Sequence, residues 1–394
     1  MPYQTGTADD YKHLLTKLRK FLTANNWVSQ RWKTSGTGAL IKVQGAPTAA
    51  GSGYAANDVL TVSQTGGSGA TVRVLTVGAS GDVLTLELVD AGSGYMADSG
   101  VATSGGTGTG CTVEIEVNGE YEFIAKGTGL ESSDEIYIGI KTYSSVTSDY
   151  YNWLLSGFLG FDNGLEFDNQ PGGLAGTPAR PRISLFNQSI KYWFIADGRR
   201  VIVVAKVSTI YEAAYLGLLN PYLPPSIMPY PLVIAGTHTG YSGERWSIQN
   251  ATHSMGIMYP NCCNISMTES DILANPRSSC RFWNGEWHGI QNTFNNINAS
   301  QTDMKALWPY CQYNHYRFNN VRSNINDGAY TLVPVILHMN SPSPGIYGEL
   351  DGVYYTTGFN TAVENIMTIG GTDYLVVQNV YRNGIFNYCA VRLS

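Results

Sequence analysis

Charged residues are scarce in this chain. Asp, Glu, Lys and Arg make up 14% of its 394 residues, against roughly a quarter in ordinary soluble domains. With so few charges, electrostatic repulsion does little to keep copies of the chain apart. Tyr (26 residues) and Gly (44) are abundant instead, and tyrosine gives large contact area with few torsions to freeze. The composition predicts a surface covered in an assembly. A Tyr-rich β core in a free monomer is the alternative.

Sequence features of nucleic-acid and membrane binding are also missing. The net charge is −6 and the Lys and Arg residues are scattered, whereas phosphate binding needs them clustered. No segment approaches the ~20 continuous apolar residues of a membrane helix, and residues 1–10 contain no signal peptide. We therefore expect synthesis in the cytoplasm, no nucleic-acid partner and no membrane insertion.

Motifs for metal binding and nucleophilic catalysis are absent as well. There is no Gly-x-Ser-x-Gly elbow, and no Lys-Ser/Thr follows the Gly-rich turns, as a phosphate loop would require. Potential zinc ligands occur in one region, but their spacing fits no paired-ligand pattern: His253, Cys262, Cys263, Cys280 and His288. We expect reduced cysteines, no metal, no cofactor and no catalytic residues.

An amphipathic helix is predicted near the N-terminus, over residues 8–26. Thr7 can cap it, and apolar residues follow at helical spacing: Tyr11, Leu14, Leu15, Leu18, Phe21 and Leu22. Residues 31–44 are then expected to form a strand. Residues 1–44 are thus predicted to be an N-terminal helix followed by the first strand of a scaffold.

Residues 45–118 consist mainly of Gly, Ser, Thr, Ala and Val and contain an internal repeat. The sequence Ala50-Gly51-Ser52-Gly53-Tyr54 recurs 41 positions later as Ala91-Gly92-Ser93-Gly94-Tyr95. A Gly-rich turn and a Thr-Val strand follow each copy, which predicts a β-module of two similar units. Strands at 40–43 and 120–125 flank the module and are expected to pair without it. We therefore predict that the module is an insertion.

The rest of the chain predicts an antiparallel β-scaffold. Residues 119–235 are dominated by strands, with a hairpin turn at Asp197-Gly198-Arg199-Arg200, a short helix at 208–219 and an extended Pro-rich loop from Pro221 to Pro231. Residues 236–345 are irregular and predict long aromatic-rich loops, and residues 346–394 return to strands that complete the scaffold. The predicted fold class is mainly β (α+β).

Short segments outside the module form a characteristic set. They are Met1 to Thr7, Ile136 to Ile140, Asp149 to Trp153, Trp193 to Arg200, Val204 to Thr209, Tyr211 to Gly217 and Tyr374 to Asn379. Together they resemble tail-associated structural proteins of tailed bacteriophages over about two thirds of the chain. The Gly-Ser-Gly-Tyr module resembles small β-repeats of phage virion proteins. The resemblance implies a place in the virion, in the tail or baseplate, beside other virion proteins and copies of this chain.

Two other functions stay open from the residues themselves. A receptor-binding module would contact host surface polysaccharide through aromatic side chains, which could equally form a subunit interface: Trp246, Trp283, Trp287, Trp308, Tyr310, Tyr313 and Tyr316. A polysaccharide depolymerase would need paired carboxylates, one as acid and one as base or nucleophile. Glu244, Asp271 and Glu286 are the candidates for that pair.

Overall fold

A computed structural model gives the structure of most of the chain. It describes residues 2–34, 39–43, 45–131, 133–174, 180–238, 253–258, 277–292, 332–339, 345–356, 358, 361–384 and 387–393. Strands account for 57% of these residues and helices for 5%, and the sheets are antiparallel. The prediction of a mainly β fold built from antiparallel sheets is therefore confirmed.

The described elements number one α-helix, one 3-10 helix and 26 strands. In chain order they are β1 (Tyr3–Ala8), α1 (Tyr11–Thr23), β2 (Val28–Thr34), β3 (Leu40–Val43), β4 (Ala49–Ser52), β5 (Val59–Ser63), β6 (Ser68–Val77), β7 (Val83–Ser93), β8 (Asp98–Ser104), β9 (Thr109–Val117), β10 (Tyr121–Thr128), β11 (Glu135–Ser145), β12 (Tyr150–Phe158), the 3-10 helix (Phe167–Asn169), β13 (Arg182–Leu185), β14 (Ile190–Ala196), β15 (Arg200–Val207), β16 (Ile210–Leu218), β17 (Asn220–Pro221), β18 (Leu232–Ala235), β19 (Ser278–Arg281), β20 (Trp287–Gly289), β21 (Gln291–Asn292), β22 (Val333–Met339), β23 (Gly345–Thr356), β24 (Ile366–Ile369), β25 (Thr372–Gln378) and β26 (Tyr388–Arg392).

Asp10 determines where α1 begins. Its Oδ1 accepts hydrogen bonds from the backbone N–H groups of Lys12 (2.8 Å) and His13 (2.9 Å), which satisfies two donors that the first turn leaves unpaired. The predicted cap, Thr7, is wrong, because Thr7 lies in β1 and pairs with Lys191 of β14. A strand therefore precedes the helix, and the helix is shorter at both ends than the range predicted from periodicity.

The chain forms two compact units. Unit 1 comprises Met1–Leu14, Leu18–Arg31 and Ile124–Ser394, and unit 2 comprises Leu15–Lys17 and Trp32–Phe123. The chain leaves unit 1 within β2 and returns to it within β10.

Three sheets contain the strands of unit 1. Their orders are β1-β14-β15-β16-β18-β19-β20, then β13-β12-β11-β10-β2, then β21-β22-β23-β26-β25-β24 with β17 paired to β23. One apolar core joins residues of the first and third sheets, among them Val204, Tyr215, Val353 and Val377, each at most 1% exposed. Burial of these side chains on both sheets stabilises this unit.

Strands β14, β15 and β16 form a meander, and one predicted element within it is wrong. The hairpin turn at Asp197 is as predicted: Asp197 Oδ1 accepts from the backbone N–H of Arg199 (2.8 Å) and Arg200 (3.0 Å). Residues 208–219 do not form the predicted helix. A two-residue turn, with Ser208 at φ 54°, leads directly into β16, whose residues pair with β15 on one side and β18 on the other.

Residues 236–345 are described only in part. The described stretches contain four strands, β19 to β22, so regular structure extends into the region predicted to be long loops. Strand β19 continues the first sheet by pairing Val233 with Cys280, and β22 pairs with β23 of the third sheet. The other residues of this region lie outside the described part of the chain.

Unit 2 is built from two repeats that exchange strands. Its sheet has the order β3-β9-β8-β5-β6-β7, with β4 also on β9. The first strand of repeat one (β4) pairs with the last strand of repeat two (β9), Ala50 lying opposite Cys111. The first strand of repeat two (β7) pairs with the last strand of repeat one (β6), Ala91 lying opposite Ala70. These two pairs are equivalent under the 41-residue offset of the sequence repeat.

A pseudo-twofold axis runs through the centre of this sheet. There β5 pairs with β8, and Val62 lies opposite Thr103, its own equivalent 41 positions later. The hydroxyls of Ser63 and Ser104, which are likewise equivalent, lie 3.4 Å apart. The two ends of the sheet are β3 and β7. The backbone N–H of Leu86, in β7, donates to the carbonyl of Gly45, which follows β3 (2.9 Å). The edges thus approach each other, and the sheet is nearly closed, like a barrel.

The repeated Gly-Ser-Gly-Tyr sequence forms the joint between the repeats. Tyr54 Oη accepts from the backbone N–H of Cys111 (3.2 Å), and Tyr95 Oη accepts from that of Ala70 (3.2 Å). Both tyrosines are buried, at 5% and 0% exposure. Each tyrosine therefore anchors its own repeat to the opposite one.

Strand β3 belongs to the repeat sheet, which corrects the predicted boundary of the module. Leu40 pairs with Val117 of β9, and Val43 with Ile115, instead of pairing with residues 120–125. The neighbour of β10 is β2. The segment that folds with the repeats therefore begins before residue 45, since β3 supplies part of their core through Leu40, at 2% exposure.

Candidate functional site

Two of the predicted aromatic contact residues lie on one hairpin, formed by β19 and β20. Trp283 lies in its loop and is 55% exposed. Trp287 begins β20, and its Nε1 donates to the carbonyl of Gly172 (3.0 Å). Phe282 fixes the base of the loop by packing against Tyr347, with ring centroids 4.4 Å apart. The hairpin therefore presents one exposed indole from a firmly packed base.

The other predicted aromatic contacts cannot be placed. Trp246, Trp308, Tyr310, Tyr313 and Tyr316 lie outside the described residues.

Glu286 is the described member of the three candidate catalytic carboxylates. Its Oε2 accepts from Asn284 Nδ2 (2.9 Å) and lies 3.2 Å from His288 Nε2. Its side chain is 67% exposed, so solvent screens these interactions. Glu244 and Asp271 lie outside the described residues. The structure therefore gives no geometry for a carboxylate pair.

The candidate zinc ligands that are described have other roles. Cys280 is fully buried, and burial raises the pKa of its thiol, so the group stays protonated. His253 contacts Glu212, whereas His288 lies on the exposed hairpin near Glu286. Over the described residues, no group of three His, Cys, Asp or Glu side chains is placed to hold a metal ion. Cys262 and Cys263 lie outside this part of the chain.

A buried polar network lies beside the first sheet of unit 1. Glu212 of β16 has Oε1 2.8 Å from His253 Nε2, and its Oε2 accepts from the hydroxyl of Thr237. His238 Nε2 lies 2.8 Å from Ser184 Oγ. All five residues are at most 1% exposed, so a substrate cannot reach them. The network joins β13, β16 and the segments after β18, and its members are too far apart in sequence for a motif to reveal them.

A more exposed charged cluster surrounds Glu364. Its Oε2 accepts from Lys191 Nζ (2.6 Å), and its Oε1 accepts from Tyr211 Oη (2.6 Å) and from Lys206 Nζ. Burial disfavours the carboxylate, but the hydrogen bonds from Lys191, Lys206 and Tyr211 outweigh it and lower the pKa of Glu364 to about 2. Burial and then the bond to Glu364 raise the pKa of Tyr211. No sequence motif reveals this cluster, because its members come from four separate segments of the chain.

Strands β1 and β24 are the outermost strands of their sheets within the described residues. Neither contains a charged residue: β1 reads Tyr-Gln-Thr-Gly-Thr-Ala and β24 reads Ile-Met-Thr-Ile. Tyr3 is 51% exposed and Ile366 is 52% exposed. Edge strands of monomeric proteins are commonly protected by charge, Pro or bulges. These two edges lack the charge and the Pro.

The sequence matches no protein-family model and no curated protein. Within the described residues, no helix has both the length and the apolar character that crossing a bilayer would demand.

Proposed function

We propose that this chain is a structural component of a tailed-bacteriophage virion, in the tail or baseplate, and that it acts through subunit–subunit contacts. The observation that carries the proposal is the pair of uncharged edge strands, β1 and β24. Such edges offer unpaired N–H and C=O groups to a strand of another subunit. The low charge of the chain and the phage-like segments of its sequence support the same function. The partners are other virion proteins and copies of this chain.

Unit 2 supports the proposal independently. Six large apolar side chains on it are between 40% and 52% exposed: Ile41, Val59, Leu75, Leu84, Val89 and Met96. Exposed apolar side chains in this number favour a surface that is covered in an assembly. We further propose that this unit is an insertion into a scaffold that begins with β1 and the N-terminal helix and closes through β2 and β10.

The assembly proposal is tested by placing charge on an edge strand. We expect the purified chain to form oligomers in light scattering after gel filtration, and Ile366→Lys to shift them toward monomer. The matched control is Val146→Lys, since Val146 is 81% exposed but lies in a turn. A wild-type chain that stays monomeric at all concentrations and is absent by mass spectrometry from purified particles of the encoding phage would contradict the proposal.

Receptor binding is a second candidate function, and exposed Trp283 favours it. An indole held on a packed hairpin can stack against the apolar face of a sugar ring. We expect Trp283→Ala to weaken binding of the isolated protein to host cells by about 1 kcal/mol or more, as for an aromatic anchor. Binding that is unchanged in this variant, with wild-type folding verified by circular dichroism, would contradict the candidate.

A further inference from the structure

A cavity of about 430 Å³ opens in unit 1 beside the Glu364 cluster. Its walls include the side chains of Lys206, Thr209, Tyr211, Gln378, Tyr381 and Asn383. Its volume lies within the usual range for small-molecule sites, which combine apolar or aromatic surface with a few fixed polar groups. Gln378 is one such fixed group, because its Nε2 donates to the carbonyls of Thr209 (3.2 Å) and Val380 (3.0 Å).

Backbone strain is concentrated around this cavity. Of the six described non-glycine residues with positive φ, three adjoin it: Ser208 (54°), Glu364 (70°) and Val380 (56°). The two-residue β15–β16 turn accounts for Ser208. Val380 is β-branched, and a positive φ is a true outlier for such a residue. Strained residues of this kind persist where surrounding structure holds them, and they cluster at ligand clamps and active sites.

The strain at Val380 and Glu364 places side chains at the cavity. Val380 is the first central residue of a tight turn closed by a hydrogen bond from Arg382 N to the carbonyl of Asn379 (2.9 Å), and Tyr381 follows it. Glu364 is the third residue of a four-residue turn, which is closed by a hydrogen bond from the backbone N–H of Asn365 to the carbonyl of Ala362 (3.2 Å). Glycine is the usual residue at this position when φ is positive. A glycine there would relieve the strain but remove the carboxylate that holds Lys206 and Tyr211.

The charge at the cavity is positive. Lys191 and Lys206 both bind the single carboxylate of Glu364, and Lys206 also lines the cavity. Two ammonium groups therefore share one carboxylate. The Lys206 ammonium carries three N–H donors, and its bond to Glu364 uses one of them. A further anionic group would complete the charge balance.

We propose that this cavity binds an acidic sugar residue of the uronic acid class. The carboxylate pairs with Lys206, the sugar hydroxyls bond to the side chains of Thr209 and Asn383, and the apolar face of the ring lies against Tyr381. This inference goes beyond the structural role proposed above and does not depend on it, since it concerns one cavity of the isolated chain.

The test uses the full chain and two sugars that differ in charge, D-glucuronate and D-glucose. Calorimetric or NMR titration should give millimolar binding of glucuronate and at least about fivefold weaker binding of glucose. Asn383→Ala and Lys206→Met should each weaken glucuronate binding by about fivefold or more. Asn383 is exposed, so its truncation tests the cavity without disturbing the Glu364 cluster.

The matched control is Lys126→Met, which removes a lysine of another surface ion pair, 2.7 Å from Glu135, and should leave binding unchanged. Equal binding of glucose and glucuronate, no binding of either sugar, or full binding by folded Asn383→Ala would overturn the proposal. None of these results bears on the oligomeric state of the chain, so the assembly proposal is judged separately.

Discussion

Gly67 and Gly108 show how single residues set the packing of the repeats. They are equivalent under the 41-residue offset, and each lies under the tyrosine of the opposite repeat. A Cβ added to Gly67 would lie 2.4 Å from Cδ1 of Tyr95, and one added to Gly108 would lie 2.5 Å from Cγ of Tyr54. Because both tyrosines are buried and hydrogen-bonded, neither ring can move aside easily.

We expect Gly67→Ala and Gly108→Ala to destabilise the protein by similar amounts, about 1–3 kcal/mol each, as for overpacked cores. Urea unfolding measures the change in the free energy of unfolding. Gly45→Ala is the control, since an added Cβ meets no atom within 4 Å there and should change little. If the two substitutions lower the free energy of unfolding by clearly different amounts, the equivalence of the repeats is contradicted.

Glu364 makes stability depend on pH. Its folded-state pKa is lowered to about 2, below that of an unfolded glutamate. Its contribution is therefore fully present above about pH 5 and is lost as the pH falls toward 2. We expect Glu364→Gln to cost about 1–3 kcal/mol at pH 7 and much less near pH 2.5. Thermal unfolding at several pH values measures this, with Glu87→Gln, an exposed partner of Arg73, as the control.

If Glu364→Gln lowers the free energy of unfolding by the same amount at every pH, the hydrogen bonds of Glu364, and not its charge, stabilise the cluster.

At the scale of elements, sequence patterns best identified strands that are rich in β-branched and aromatic residues and bounded by turn residues. The hairpin at Asp197 and the C-terminal strands could be predicted for this reason. Strand β16 could not. All of its residues but the first are buried, so no alternation appears, and Tyr-Glu-Ala-Ala-Tyr-Leu has the composition of a helix. Pairing with both β15 and β18 overrides that local preference.

The corrected boundary of unit 2 changes how it should be removed. Deleting residues 45–118 leaves β3 without β9 and exposes Leu40 and Val43. Deleting residues 36–119 instead removes β3 with its partners. The rings of Trp32 and Tyr121 lie 5.4 Å apart, so a short Gly-Ser linker can join β2 to β10.

We therefore expect the 36–119 deletion to stay folded and to unfold cooperatively in thermal circular dichroism, and the 45–118 deletion to be less stable or aggregated. A deletion of 36–119 that lacks β structure altogether would refute the insertion hypothesis.

For the whole molecule, the sequence predicted the mainly β character of the fold but not the contacts between distant residues that form the candidate sites. The Glu364 cluster joins residues 191, 206, 211 and 364, and the Glu212 network joins residues that lie up to 41 positions from Glu212. Such groups meet only after the sheets have formed, and no local spacing encodes them. The role of Trp283 as a contact residue stays a prediction, and its exposed place on a short hairpin could not be predicted from the sequence.

The exchange of strands between the repeats also constrains folding. A chain that contains one repeat, residues 81–118, lacks β6, the partner of β7, and β4, which pairs with β9 on the side away from β8. Only a second copy of the repeat can supply these partner strands. We expect this fragment to be unfolded when dilute and to gain β structure at higher concentration as a symmetric dimer. Sedimentation and circular dichroism measure both properties, and a folded monomeric fragment would contradict the expectation.

That reciprocal pairing has an evolutionary consequence. In a solenoid, each added repeat stacks on the last, so the copy number can drift by one. Here the first strand of each repeat pairs with the last strand of the other repeat. A single third copy would therefore find no unpaired strand in the two existing copies. A gene encoding this unit is therefore expected to gain or lose repeats in even numbers, and its simplest ancestor is a one-repeat homodimer whose two chains became joined by duplication.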